Sequence, residues 1–177
     1  QYVAFGTTPS GSSGIATFTE KARIDSSGNL GIGVTPNDWG WIINQAIQFK
    51  NGAFVAGRTD ATSALNLGAN AFVTATGGNA WKYFAAGKAS RYFTQTGEHY
   101  FQVAGTGAAG GTITWSTAMN INNSGFVGIG VTSPGSRLSI GGTTGSYNSG
   151  IGFQPTGTGA RVYRTFIATD GSFRFDD

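Results

Sequence analysis

The chain of 177 residues contains no cysteine, four prolines, one histidine and only 11% charged residues. Without cysteine there is no disulfide staple, no thiol nucleophile, no CxxC redox pair and no cysteine-ligated zinc. A single histidine cannot build a His-rich metal site within one chain. No apolar run approaches the roughly 18 residues of a membrane-spanning helix, so membrane insertion is not expected. Eleven Lys and Arg against eight Asp and Glu give a formal charge of +3. The basic residues form no cluster, which argues against nucleic acid as a partner. The opening Gln1-Tyr2-Val3-Ala4-Phe5-Gly6 has neither an initiator Met nor a basic stretch. It reads as an internal fragment or a processed end rather than a signal peptide.

Glycine, by contrast, occupies 30 positions. It is scattered without a three-residue period, which excludes collagen. The length fits one ordinary domain or two small ones.

The most informative feature is an internal repeat. Thr17 to Pro36 aligns with Thr114 to Pro134 at an offset of 97 (121 − 24, from Ile24 and Ile121), with Ser133 inserted. Ile24-Asp25-Ser26-Ser27-Gly28-Asn29-Leu30-Gly31-Ile32-Gly33-Val34-Thr35-Pro36 matches Ile121-Asn122-Asn123-Ser124-Gly125-Phe126-Val127-Gly128-Ile129-Gly130-Val131-Thr132-Ser133-Pro134. Each copy reads as a hairpin. Phe18, Ala22 and Ile24 alternate with polar residues, as do Trp115, Met119 and Ile121, which is strand periodicity. Asp25 to Gly28 and Asn122 to Gly125 are turn chemistry. After the turn, Leu30, Ile32 and Val34 share one face and Gly31 and Gly33 the other; Val127, Ile129 and Val131 repeat this opposite Gly128 and Gly130. Glycine weakens a strand unless another backbone comes very close. Gly31, Gly33, Gly128 and Gly130, with Leu30, Ile32, Val127 and Ile129, are therefore the residues expected to pack between chains.

Between the copies, short strand candidates run over Ala46–Phe49, Ala53–Ala56, Ala64–Leu67, Ala71–Thr76, Ala80–Ala86, Arg91–Thr94 and His99–Ala104, with Gln95 to Glu98 as a turn. Trp41 to Ile47 reads as strand rather than helix. Further candidates follow at Arg137–Ile140, Ile151–Gln154, Arg161–Ile167 and Ser172–Phe175. Ser10 to Gly14, Gly105 to Gly111 and Gly141 to Gly150 are low-complexity loops. The expected class is all-β. The expected organisation is 1–16 as the end of a preceding unit, 17–36 and 113–134 as hairpin repeats, 37–112 as a β-rich module, and 135–177 as a second, truncated one. Few charges would leave sheet edges sticky, which favours association of copies.

The repeated segment Ile24 to Pro36 resembles the recurrent motif of bacteriophage tail-fibre proteins. Ala80-Trp81-Lys82-Tyr83 through Ala89-Ser90-Arg91-Tyr92, and Ile151-Gly152-Phe153-Gln154-Pro155, resemble those fibres too. The resemblance implies an elongated homotrimeric β-fibre, intertwined or β-helical, that joins other tail proteins of the virion to a host surface glycan or outer-membrane receptor. It also implies a following intramolecular chaperone of the endosialidase type. This sequence carries none and ends at Phe175-Asp176-Asp177, which is expected to make it a shaft or tip fragment.

The chemical motifs are weak by comparison. Gly105 to Gly110 matches GxGxxG, but a dinucleotide site needs a helix next, and Gly111-Thr112-Ile113-Thr114-Trp115 is β-branched. A glycosidase needs two carboxylates about 5 to 9.5 Å apart; the acids are Glu20, Asp25, Asp38, Asp60, Glu98, Asp170, Asp176 and Asp177, of which Asp25 and Asp170 sit in turns. His99 beside Glu98 could present three imidazoles to a metal on a three-fold axis, although a lone strand histidine is more often a surface residue. Asn122-Asn123-Ser124 fits a glycosylation pattern but forms the repeat's turn. Trp81, Tyr83, Tyr92, Lys88 and Arg91 would stack and bind a surface glycan if exposed, and would be core if buried. The expectation is a structural fibre component without catalytic, cofactor-binding or metal residues. The alternatives are a tailspike-like polysaccharide depolymerase and a bacterial surface adhesin or filament.

Overall fold

Alternating apolar and polar side chains commit much of the described chain to extended backbone, and tight turns rich in glycine and asparagine return it. The computed structural model describes residues 1–8, 17–40, 43–58, 64–74 and 80–141, and the backbone of 151–153, 163–167 and 173–176. Among the described residues there is no helix, and the protein is all-β. Among the described residues the strands are β1 (Val3–Thr7), β2 (Thr19–Ile24), β3 (Leu30–Ile32), β4 (Ile43–Phe49), β5 (Phe54–Arg58), β6 (Leu65–Ala69), β7 (Ala71–Thr74), β8 (Ala80–Tyr83), β9 (Gly87–Gln95), β10 (Glu98–Gly107), β11 (Ser116–Ile121), β12 (Val127–Ile129), β13 (Leu138–Ile140), β14 (Ile151–Phe153), β15 (Tyr163–Ile167) and β16 (Phe173–Asp176). They fall into two compact units, Gln1–Ser116 and Thr117–Asp177.

In the first unit the strands pair in the order β1-β2-β3-β4-β5-β6-β9-β10, almost the order of the sequence, and β7 pairs with β8 as a separate hairpin. All pairings are antiparallel except β3 with β4. Left-handed backbone closes the β4–β5 and β9–β10 hairpins: Thr96-Gly97 is a two-residue turn, and Asn51-Gly52 ends the three-residue loop Lys50-Asn51-Gly52, across which the Phe49 amide donates to the Ala53 carbonyl. Such turns match the twist of the strands they join. One sheet face is covered. The β7–β8 hairpin, the loop carrying Trp39 and the segment around Ile113 gather on it in a core of Trp39, Ile43, Ala46, Phe54, Ala56, Ala71, Val73, Tyr83, Ala89, Ala104 and Ile113. Tilted and edge-on ring contacts link Trp39 to Phe54, Phe54 to Trp81 and Trp81 to Trp115.

The two segments matched in the sequence each form an antiparallel hairpin. In the first copy Ala22, Arg23 and Ile24 pair with Ile32, Gly31 and Leu30. In the second, Met119, Asn120 and Ile121 pair with Ile129, Gly128 and Val127. Asp25 Oδ1 accepts the amides of Ser27 and Asn29 at 2.9 Å each, and Asn122 Oδ1 accepts those of Ser124 and Phe126 at 3.0 and 2.9 Å. The strands that follow were expected at Ala46–Phe49 and Arg137–Ile140, but their pairing was not: β3 pairs in parallel with β4, and β12 with β13. A three-residue strand is only about 10 Å long, so the short returns over 33–42 and 130–137 suffice where a longer parallel strand needs a crossover.

Three local expectations need correction. Gly33 and Gly130 do not alternate with Ile32 and Val34 in one strand. Both are left-handed at φ 68° and turn the chain out of β3 and β12, so Val34 and Val131 lie beyond the strands. Gly105 to Gly107 is strand rather than loop, because β10 runs through Gly107. Glycine is needed there since a Cβ at Gly107 would enter the Tyr83 ring. The first hairpin strand begins at Thr19, after Phe18. The expected loops at Ser10 to Gly14 and over 142–150 lie outside the described residues, as do Trp41, Asp60, Asp170 and Asp177.

Candidate functional site: an uncovered sheet face

Pairing register in the first unit lines up one residue from each of eight strands. Val3 stands opposite Ile24, Ile24 opposite Leu30, Leu30 opposite Ile47, Ile47 opposite Val55, Val55 opposite Leu67, Leu67 opposite Tyr92, and Tyr92 opposite Phe101. Every member is apolar or aromatic. At about 4.8 Å per strand this ladder runs roughly 34 Å. A second row beside it holds Phe5, Ala22, Ile32 and Phe49, with Val103 at its far end. Directly paired residues share a face, and these rows point away from the Trp-lined core.

Among the described residues nothing closes over these rows. Val3, Phe5, Ile24, Ile32, Ile47, Phe49, Leu65, Leu67, Phe101 and Val103 are between 38 and 57% exposed. Taking about 200 Å² as the whole surface of a large apolar residue, they expose on the order of 900 Å². The largest apolar patch on a typical monomer is roughly 300–600 Å², and one side of a standard interface is about 800 Å². By strand alternation Lys88 in β9 and, when protonated, His99 in β10 lie on this face; Glu20 does not, because the β2 strand bulges between Ala22 and Glu20 and turns that carboxylate to Arg23. In the second unit Ile121, Val127 and Leu138 form one row, and Met119, Ile129 and Ile140 another. Ile129 is 42% and Leu138 50% exposed.

The glycines singled out in the sequence serve a nearer purpose. Gly31 is buried, and a Cβ there would strike the carbonyl oxygen of Val34 and the Pro36 ring of the same chain. A Cβ at Gly128 would strike the Val131 carbonyl and come within 2.5 Å of Asn120 Oδ1. The backbone that needs room is thus the chain's own return loop, and one chain accounts for both glycines. Leu30, Ile32, Val127 and Ile129 take their places in the apolar rows.

The five residues suited to a glycan do not form one platform. Strand alternation in β9 sends Arg91 to the covered side and Tyr92 to the uncovered one. Arg91 lies 4.6, 4.5 and 4.7 Å from the ring centres of Trp81, Phe93 and Trp115, and its Nε donates to Gln102 Oε1 at 2.8 Å. Burial, and secondarily the charge of Arg58, lower its pKa to about 10, which leaves it a cation at neutral pH. Tyr83 is 6% exposed, with its hydroxyl donating to the Gly105 carbonyl at 2.6 Å. Tyr83 is core, Trp81 packs half-buried against that core with Arg91 beside it, and Lys88 is exposed.

The other candidates are engaged locally. Glu20 accepts both Nε and Nη2 of Arg23, a contact that lowers its pKa. Asp25 caps its turn, and Asp38 accepts the Gly40 amide. The Tyr100 hydroxyl donates to Glu98, and that bond, with burial and the carboxylate charge, raises the Tyr100 pKa to about 12. His99 Nδ1 lies 2.6 Å from Tyr92 Oη. No group of three potential metal ligands occurs among the described residues. Beyond Gly110 the chain runs as a turn and extended backbone where a nucleotide site would need a helix.

Missed in the sequence were Val3, Phe5, Ile47, Phe49, Leu65, Leu67, Phe101 and Val103. Their signal was there, as apolar residues two apart in strand after strand. Which side would remain uncovered was not, because that depends on where the Trp39 loop and the β7–β8 hairpin fold. Compared with known proteins, the chain matches no protein-family model and no curated protein.

Proposed function

We propose that this chain is a structural segment of a bacteriophage tail fibre, a homotrimer whose copies pack through the apolar ladder and which carries or supports attachment to the host surface. The uncovered ladder is the observation that carries this reading. A face of this size is the wrong surface for a lone chain in water, and it matches one side of a standard interface. Its occupant is further copies of the same chain, since each offers an apolar stripe of equal length with the same strand period. The near-sequential strand order supports a fibre, because the molecule then lengthens along the ladder as sequence is added. The likeness of the hairpin repeat to tail-fibre motifs supports the number three and the viral setting. Attachment would be multivalent, weak contacts multiplied by copies, with no catalytic step.

Sedimentation at neutral pH tests the central claim. The expected particle has three times the 18.2-kDa chain mass, and Ile47→Lys with Leu67→Lys should reduce it to a folded monomer. A wild-type monomer that melts cooperatively would overturn the proposal. Reducing ends released from host polysaccharide would favour a depolymerase instead.

A further inference from the structure

We infer that self-association through the ladder face is switched by protonation of His99, being strong at neutral pH and weakened in mild acid. This deepens the trimer proposal and rests on it.

His99 is exposed on the uncovered side of β10. Its Nδ1 meets Tyr92 Oη at 2.6 Å, the ring centres are 6.0 Å apart, and Tyr92 packs 5.0 Å from Phe101. Tyr92 and Phe101 are the last two members of the eight-residue ladder. The histidine is therefore tied by one hydrogen bond to the stripe that neighbouring copies would cover.

The groups around it are few. Across the strand pair stands Thr94, with Tyr92 on the diagonal, and β6 beyond contributes Leu65 and Leu67. Lys88, further along β9 on the same side, is the other charged group of these strands at an outer position among the described residues. Glu98 points to the covered side, where Tyr100 holds it. No described carboxylate faces the imidazole to compensate a positive charge, and Lys88 opposes one.

A neutral imidazole can stay bonded to Tyr92 while a second copy covers it. A protonated one brings a charge per copy into an apolar contact, where desolvation disfavours it. The sign follows. Association is therefore stronger while the imidazole is neutral and weakens in mild acid, where each copy would carry a charge into the contact. Imidazole is the side chain whose ordinary titration lies between pH 5 and 8. His99 is the chain's one histidine, so it is the imidazole that would act as the switch.

The test is sedimentation of the full chain at pH 8.0 and pH 5.5, beside His99→Gln, which keeps a neutral hydrogen-bonding group. The wild type should lose at least tenfold in association constant in acid, and the Gln variant should change less than twofold. A wild-type oligomer that persists undiminished at pH 5.5, or a Gln variant that dissociates equally, overturns the switch alone. A wild-type monomer already at pH 8.0 overturns the association reading with it.

Discussion

The two hairpin copies share a backbone and differ in what pins it. In both, a return loop crosses bare backbone at the middle glycine of the short strand. The row under that loop is Arg23, Gly31 and Gln48 in the first copy, and Asn120, Gly128 and Ser139 in the second. The first copy holds the loop from the strand that follows: Gln48 Oε1 accepts the Asn37 amide at 2.8 Å. The second holds it from the strand that precedes: Asn120 Nδ2 donates to the Thr132 carbonyl at 3.2 Å. Where Asn120 sits, the first copy has Arg23, which turns instead to Glu20 and the Tyr2 ring. A buried amide is needed beside the glycine, and either flanking strand can supply it.

The severest way to break both copies is Gly31→Val or Gly128→Val. The obstacle in each case is a main-chain carbonyl of the same loop, which cannot rotate aside as a side chain would. Each should cost about 3 kcal/mol or more of stability in its own unit. Urea melts of the Ile47→Lys/Leu67→Lys background would show the loss without any partner. Full stability there, with trimer yield reduced when the same substitution is made in the wild-type chain, would return the glycines to a role between chains.

That contrast shows what could be read in advance. Turn residues and left-handed glycines act within a few positions of themselves, so the hairpins and their Asx turns were legible at Asp25 to Gly28 and Asn122 to Gly125. All-β class followed from period-two alternation alone. The parallel pairing of the third strand was not legible, because Ile47 and Leu138 lie at different separations from their hairpins and nothing local announces it. Arg91 and Tyr92 are neighbours in sequence and opposites in space. Their fates were decided by which sheet face the distant Trp39, Trp81 and Trp115 came to cover.

A milder comparison uses the exit glycines, identical in φ. Alanine at either position pays the left-handed penalty of roughly 1–2 kcal/mol. At Gly33 the new methyl would meet only the flexible Lys50 side chain at 3.6 Å, whereas at Gly130 it would lie 2.7 Å from the Gly141 carbonyl. Gly130→Ala should therefore be the more damaging by about 1 kcal/mol or more, read as a larger drop in denaturation midpoint. Equal losses would mean that the Gly141 backbone gives way.

The smallest effect separates the two pins. Gln48→Ala removes the acceptor of a half-buried Asn37 amide, and a backbone donor left unpaired away from water carries its full desolvation cost. Asn120→Ala frees a carbonyl on Thr132, which is exposed, so water can replace the lost donor. The first should cost about 2 kcal/mol and the second about 1. Hydrogen exchange at the Asn37 amide reads the difference directly, since Gln48→Ala should accelerate it while Asn120→Ala leaves it unchanged. Unaltered protection in Gln48→Ala would mean that the loop is held by Pro36 packed on Gly31, and that glycine, rather than the amide beside it, is the true anchor of the repeat.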